Sequence, residues 1–137
     1  MKINMNVSID ITDEFVEDVI VTMFEGGSTY WIDHVECDIQ NKPKGMPVSE
    51  WITKQLLADK EIKIIDNEFG DEVVLTIDKF IIGLGEWVKE YPERVSFESI
   101  FVNETHERLL MIDAGNIDAN EADLILQFAV FNGVVFG

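Results

Sequence analysis

From Ala122 to Phe131 the chain is apolar nearly all the way round a helical turn, with Leu124, Ile125, Leu126, Phe128 and Val130 spread over every side. A helix without a polar face cannot lie on a surface; it is enclosed by a core or by a subunit interface. Asp118, three residues ahead of Glu121, has capping-box spacing with Asp in the cap position, which sets the start of this helix. Gly133 follows its end. The rest of the chain or a second copy must therefore supply walls for this one element.

The preceding patterns supply them. Lys2 to Asp10 alternates, with Ile3, Met5, Val7 and Ile9 apolar, and reads as a half-buried strand. Thr12 or Asp13 then caps a helix whose stripe is Phe15, Val16, Val19, Ile20, Met23 and Phe24, and Gly26-Gly27 closes it. Thr29 to Ile39 reads as a strand with Trp31, Asp33, Val35, Cys37 and Ile39 on the face expected to be buried. The loop from Asn41 to Pro47 leads to a short helix capped by Ser49. Lys63–Ile65 and Val73–Leu75 form a hairpin about Asp66–Asp71, where Gly70 suits the tight position. A third helix begins at Asp78, carries Phe80, Ile81, Leu84, Trp87, Val88 and Tyr91, and stops at Pro92. Ser96–Val102 reads as a helical turn or a strand, Leu109–Ile112 as a buried strand, and Val134–Phe136 as a last strand. The sum is one α+β domain over residues 1–137, a small, mostly antiparallel sheet packed on three or four helices.

Charge narrows the function classes. Twenty-seven acidic residues against ten basic ones give a formal charge of −17. Such a surface repels nucleic acid and anionic membrane, so direct binding to either is disfavoured. Basic protein surfaces remain as partners. Cys37 is the single cysteine, so no internal disulfide can form, and a reducing, cytoplasmic compartment is expected. No apolar run approaches the ~20 residues that span a bilayer.

Catalytic and metal patterns are thin. His34 and Cys37 point to opposite faces of a strand, so one ion cannot readily take both. His34, Glu36 and Asp38 share a face, where a solvated strand surface is the plainer reading. Neither Asp113–Asn120 nor Asp66–Asp71 has the spacing of a calcium loop. Gly83-x-Gly85 lacks the third glycine of a dinucleotide loop. Cys37 with His34 or His106 would make a nucleophile pair only through tertiary coincidence. The expectation is a protein that is not an enzyme and uses no cofactor or metal. Tyr30-Trp31, together with Trp87, is the candidate for a ligand- or partner-binding aromatic wall, against the alternative of core packing.

Asp13-Glu14-Phe15-Val16-Glu17-Asp18, Glu25-Gly26-Gly27-Ser28-Thr29-Tyr30-Trp31, Ala122-Asp123, Gln127-Phe128-Ala129-Val130-Phe131 and the terminal Val135-Phe136-Gly137 together resemble a group of small acidic phage and prophage proteins of uncharacterised function. The resemblance covers the two ends and part of the middle, and it brings no catalytic residues. It implies a bacterial host cytoplasm and an accessory role through protein–protein interaction, with a basic nucleic-acid-handling or defence protein as the expected partner. The alternative is a small-molecule-binding protein whose pocket is lined by Tyr30, Trp31 and Trp87. The apolar last helix adds the expectation of a dimer or larger homo-oligomer, with an interface distant from the densest acids.

Overall fold

The computed structural model describes residues 1–3, 8–102 and 107–137, with the backbone alone at 100–102 and 107–108. The chain folds as a single α+β domain of four helices and two small antiparallel sheets. The helices are α1 (Asp13–Thr22), α2 (Val48–Leu57), α3 (Ile77–Glu90) and α4 (Ala119–Phe131). One sheet has the order β1 (Ile32–Glu36), β2 (Ile62–Asp66), β3 (Glu72–Leu75); the other is a ribbon of β4 (Phe97–Val102) and β5 (Glu107–Ile112).

Three of the four helices begin where a short polar side chain satisfies an orphan amide. Thr12 accepts from the Phe15 N–H at 3.0 Å, Thr76 from that of Lys79 at 3.1 Å, and Asp118 from that of Glu121 at 2.9 Å. Val48 starts α2 directly after Pro47, with no side-chain cap. At its far end α4 stops on Asn132, held left-handed at φ 57°, one residue before the glycine that the sequence offers.

α4 is enclosed by its own chain. It packs along α3 and against α1, β3 and the turn after α1, with Ala122, Ile125 and Leu126 fully buried. That side of α4 lies in the core, while Leu124, Phe128, Val130 and Phe131 are half-buried. Full burial of an Ile or Leu side chain stabilises by about 1.5–3 kcal/mol. Gly83 makes the α3–α4 approach possible. A Cβ there would sit 2.7 Å from the Cβ and N of Ala129 and from the Ile125 carbonyl. The glycine that weakens α3 as a sequence signal is therefore the point where the two helices touch.

Gly26-Gly27 does not cap α1 by a left-handed turn. The helix widens into a π-helical turn over Met23–Gly27, with the Ser28 N–H donating to the Met23 carbonyl at 2.9 Å. Gly27 is needed for proximity, since a Cβ there would collide with the Ala119 carbonyl at the start of α4.

β2 is the central strand. Ile62, Ile64 and Asp66 point inward and Lys63 outward. Its register pairs Ile62 with Leu75 and Ile64 with Val73 on one side, and Val35 with Ile64 on the other. The strand read from Thr29 to Ile39 is shorter than its alternation suggests. A bulge between Ile32 and His34 breaks the period, so Trp31 is buried while Asp33 on the nominal inner face lies in solvent. Ile39 starts a 3-10 turn and is half exposed.

Two further strands are expected at the ends of the chain. Of Lys2–Asp10, residues 4–7 lie outside the described residues; Ser8–Asp10 are irregular, tied to β5 by the Asp10 N–H on the Leu110 carbonyl at 2.9 Å. Val134–Phe136 is not a strand. Its amides bond to a side chain of α4 rather than to a neighbouring strand.

Candidate functional site

The two polar residues inside the apolar helix, Asp123 and Gln127, stand one turn apart and are 6% and 0% exposed. A buried carboxylate is tolerated only when its acceptor capacity is filled. Asp123 meets that condition fully. Its Oδ1 accepts from Ser28 Oγ at 2.8 Å and from the Trp31 indole Nε1 at 2.8 Å; its Oδ2 accepts from the Tyr30 hydroxyl at 2.6 Å and from Gln127 Nε2 at 2.9 Å. Gln127 extends the network to the end of the chain. Its Oε1 accepts the Val135 and Phe136 N–H groups, both at 2.8 Å, and its Nε2 also donates to the Phe136 carbonyl at 3.0 Å. The side chain thus does what a partner strand would do. Phe136 is laid flat on Trp31, with centroids 5.1 Å apart and planes 8° apart, and Phe131 tilts against the same indole. The fragments Ser28–Trp31, Asp123–Gln127 and Val135–Phe136, distant in sequence, are one hydrogen-bonded unit.

This unit decides where the three candidate aromatics lie. Trp31 is 1% exposed and Trp87 0%, so both rings belong to the core and offer no wall to a ligand. Trp87 donates Nε1 to Glu121 Oε2 at 2.6 Å; Glu121 also pairs with Arg94, whose guanidinium lies over the Tyr91 ring. Only Tyr30 reaches the surface, 50% exposed, at the edge of a hollow of about 620 Å³ shared with Arg94, Asn120, Leu124 and Phe136. Burial pushes the Tyr30 hydroxyl up to about 12, helped by its hydrogen bond to Asp123 and by that residue's charge. The three residues do not converge on one cavity.

The remaining titratable candidates disperse. His34 Nδ1 is 2.6 Å from Asp33 Oδ2 and Nε2 is 3.8 Å from Glu36; the Asp33 hydrogen bond leads the upward displacement of its pKa. Asp38, which sequence puts on the same face, turns away to accept from Asn41 Nδ2. Among the described residues no three His, Cys, Asp or Glu side chains gather as metal ligands. Burial raises the Cys37 thiol, with Asp38 adding to it, so the thiol is not activated. His106 lies outside the described residues. Asp113 caps a turn by accepting from Gly115 N–H and Asn116 Nδ2. The buried Asp66 carboxylate accepts four backbone amides, those of Glu68, Phe69, Gly70 and Asp71, which holds its pKa below the usual value and fixes the hairpin loop. Phe69 stands out from that loop, 69% exposed.

What the fold does assemble is an acidic trench. Three adjoining hollows run along α1 and α2. The first, about 260 Å³, is bordered by Asp13, Glu14 and Glu17; the second, about 550 Å³, by Glu17, Asp18, Glu25 and Glu50; the third, about 380 Å³, by Glu25, Asp33 and His34. Among the described residues Lys54 is the one Lys or Arg on their walls. Glu25 is fixed at the junction by accepting the Ser49 hydroxyl at 2.7 Å. Amphipathic spacing produces this arrangement, because α1 turns Phe15, Val16, Val19 and Ile20 inward and leaves its acids outward.

Sequence reasoning missed Ser28, Asp123 and Gln127. The available signal was a polar pair at i and i+4 interrupting a run that must be buried, since such a pair needs partners.

Compared with protein-family models, with curated proteins and with solved structures, the chain matches none.

Proposed function

We propose that this chain is a non-catalytic accessory protein of phage or prophage type that binds a basic surface of a protein partner through the α1–α2 trench. The carrying observation is that Asp13, Glu14, Glu17, Asp18, Glu25, Asp33 and Glu50 border the trench while Lys54 is the single Lys or Arg among the described residues of its walls. Concave walls of one sign focus the field and attract the opposite charge. A basic nucleic-acid-handling or defence protein presents that charge. The phage and prophage resemblance supports the accessory role, and the bacterial host cytoplasm is where the partner would be met.

The test compares the wild-type chain with a triple variant, Glu14→Gln, Glu17→Gln, Asp18→Asn, each immobilised and exposed to bacterial host lysate at low and high salt. Raising salt from about 0.1 M to about 1 M shortens the screening length from about 10 Å to about 3 Å. A basic protein recovered by the wild type at low salt, released at high salt and not retained by the variant is the expected result. Recovery that ignores both salt and the substitutions would overturn the reading.

The hollow beside Tyr30 favours a second reading, a small-molecule binder, because its volume of about 620 Å³ is within the ordinary range for ligand sites. A ligand there would rest on Tyr30, Phe136 and Arg94 rather than on Trp31 or Trp87. Thermal-shift screening against nucleotides and metabolites tests it, and stabilisation by none of them would remove it.

A further inference from the structure

α3 buries Phe80, Gly83, Leu84 and Trp87 and turns its other side to solvent. Asp78, Ile82, Gly85 and Lys89 form an exposed stripe on that side, spaced by four, three and four residues, with Ile81 beside it. Ile81 is 42% and Ile82 61% exposed. Gly85 has open space where a Cβ would lie. A groove of about 320 Å³ beside the stripe is walled by Ile9, Ile11, Leu84, Val88 and Ile112, with Lys89 at its end and no acid among the described residues. In a chain of charge −17 this is an apolar recess free of the carboxylates that would make two copies repel.

The stripe is complementary to itself. Let two copies of α3 cross antiparallel about a two-fold axis between Gly83 and Leu84. Ile82 of each copy then lies opposite Gly85 of the other, a branched side chain over an absent one. The same axis sets Asp78 opposite Lys89, because 78 + 89 and 82 + 85 have the same sum. One operation thus sets Ile82 over Gly85 and brings Asp78 to Lys89, whose ammonium also lies 3.9 Å from Glu86 of its own helix.

We infer that the exposed face of α3 is a homodimer interface occupied by α3 of a second copy. The contact stripe is roughly 16 Å long at ~1.5 Å per residue, shorter than a stable dimer interface needs, so the association is weak. It stands apart from the α1–α2 trench and does not depend on the function proposed for it.

Sedimentation velocity on the whole chain from about 1 μM to about 1 mM covers the relevant span. Mass should rise from monomer to dimer across it. Ile82→Glu should hold the chain monomeric, and Gly85→Gln, which fills the recess, should do the same. Circular dichroism melts of both variants establish that they fold. The charge pair supplies the specific check. Asp78→Lys or Lys89→Asp alone should weaken dimerisation about ten-fold, and the two together in one chain should restore it. A wild-type chain that stays monomeric throughout overturns the inference. So does a dimer that survives Ile82→Glu, and so does a double reversal that fails to recover what the single reversals lose.

Discussion

Replacing Asp123 by Ala removes the acceptor of four hydrogen bonds at once. Two of the stranded donors, Ser28 Oγ and the Trp31 indole, belong to residues 0% and 1% exposed. A buried donor left without a partner costs about 1–3 kcal/mol, so these two give roughly 2–6 kcal/mol. The Tyr30 hydroxyl can turn toward the adjoining hollow, and Gln127 keeps the Phe136 carbonyl, so their losses are smaller. Against this, the variant no longer desolvates a charge, which returns part of the cost. The net expectation is a loss of about 4 kcal/mol. With an m value of about 2 kcal/mol/M, the urea midpoint falls by about 2 M. Tryptophan fluorescence follows the transition. Asp123→Asn keeps an acceptor for Ser28 and Trp31 but presents an amide to the Gln127 amide, so its cost should be intermediate. A phenol titration gives a second readout. The Tyr30 pKa of about 12 should fall toward its ordinary 10.0 once Asp123 is gone. Because the folded state raises that pKa, its stabilising contribution is complete below pH 10.0 and disappears as pH rises toward about 12. A loss under about 1 kcal/mol for Asp123→Ala would refute the claim that this network holds the two ends of the chain together.

Gly83→Ala should destabilise by about 1–3 kcal/mol because its methyl collides with α4, whereas Gly85→Ala, with open space around it, should stabilise the folded monomer by up to about 1 kcal/mol; chemical denaturation of both, at concentrations where the chain is monomeric, compares them directly. Asp66→Asn should speed amide hydrogen exchange at Glu68–Asp71 while leaving α4 protected, since the carboxylate that gathers those amides is lost. The wild-type loop should loosen on acidification alone. Asp66 has a folded pKa below the ordinary 3.8, so its contribution is present above pH 3.8 and lost as pH falls through the lowered value. Unchanged exchange in either experiment would show that the loop is held by other contacts.

Much of the architecture was legible because local physics repeats along the chain. Apolar spacing located α1, α3 and α4, the glycine-containing turn located the β2–β3 hairpin, and Asp118 fixed the start of α4 to the residue, while the start of α1 was narrowed to Thr12 or Asp13. Other features were not legible because they depend on what lies across a contact. The alternation of Thr29–Ile39 could not reveal a bulge, since a bulge is a mismatch between two strands and belongs to neither alone. Gly27 and Gly83 read as a helix end and a helix weakness, yet each is an approach point to α4. Val134–Phe136 had strand composition, and the Gln127 amide took the place of a strand.

The sequence by itself determined that there would be an α+β domain around one enclosed helix, with a surface dominated by acid, because periodicity and net charge are properties of the string. Only the tertiary structure decided that Trp31 and Trp87 are core, that Asp123 and Gln127 join the two ends, and that the acids of α1 and α2 border one trench. Hydrogen-bond satisfaction and steric approach are pairwise quantities. Residue 123 acquires its meaning from residues 28, 30 and 31, and no pattern along the chain records that they will meet.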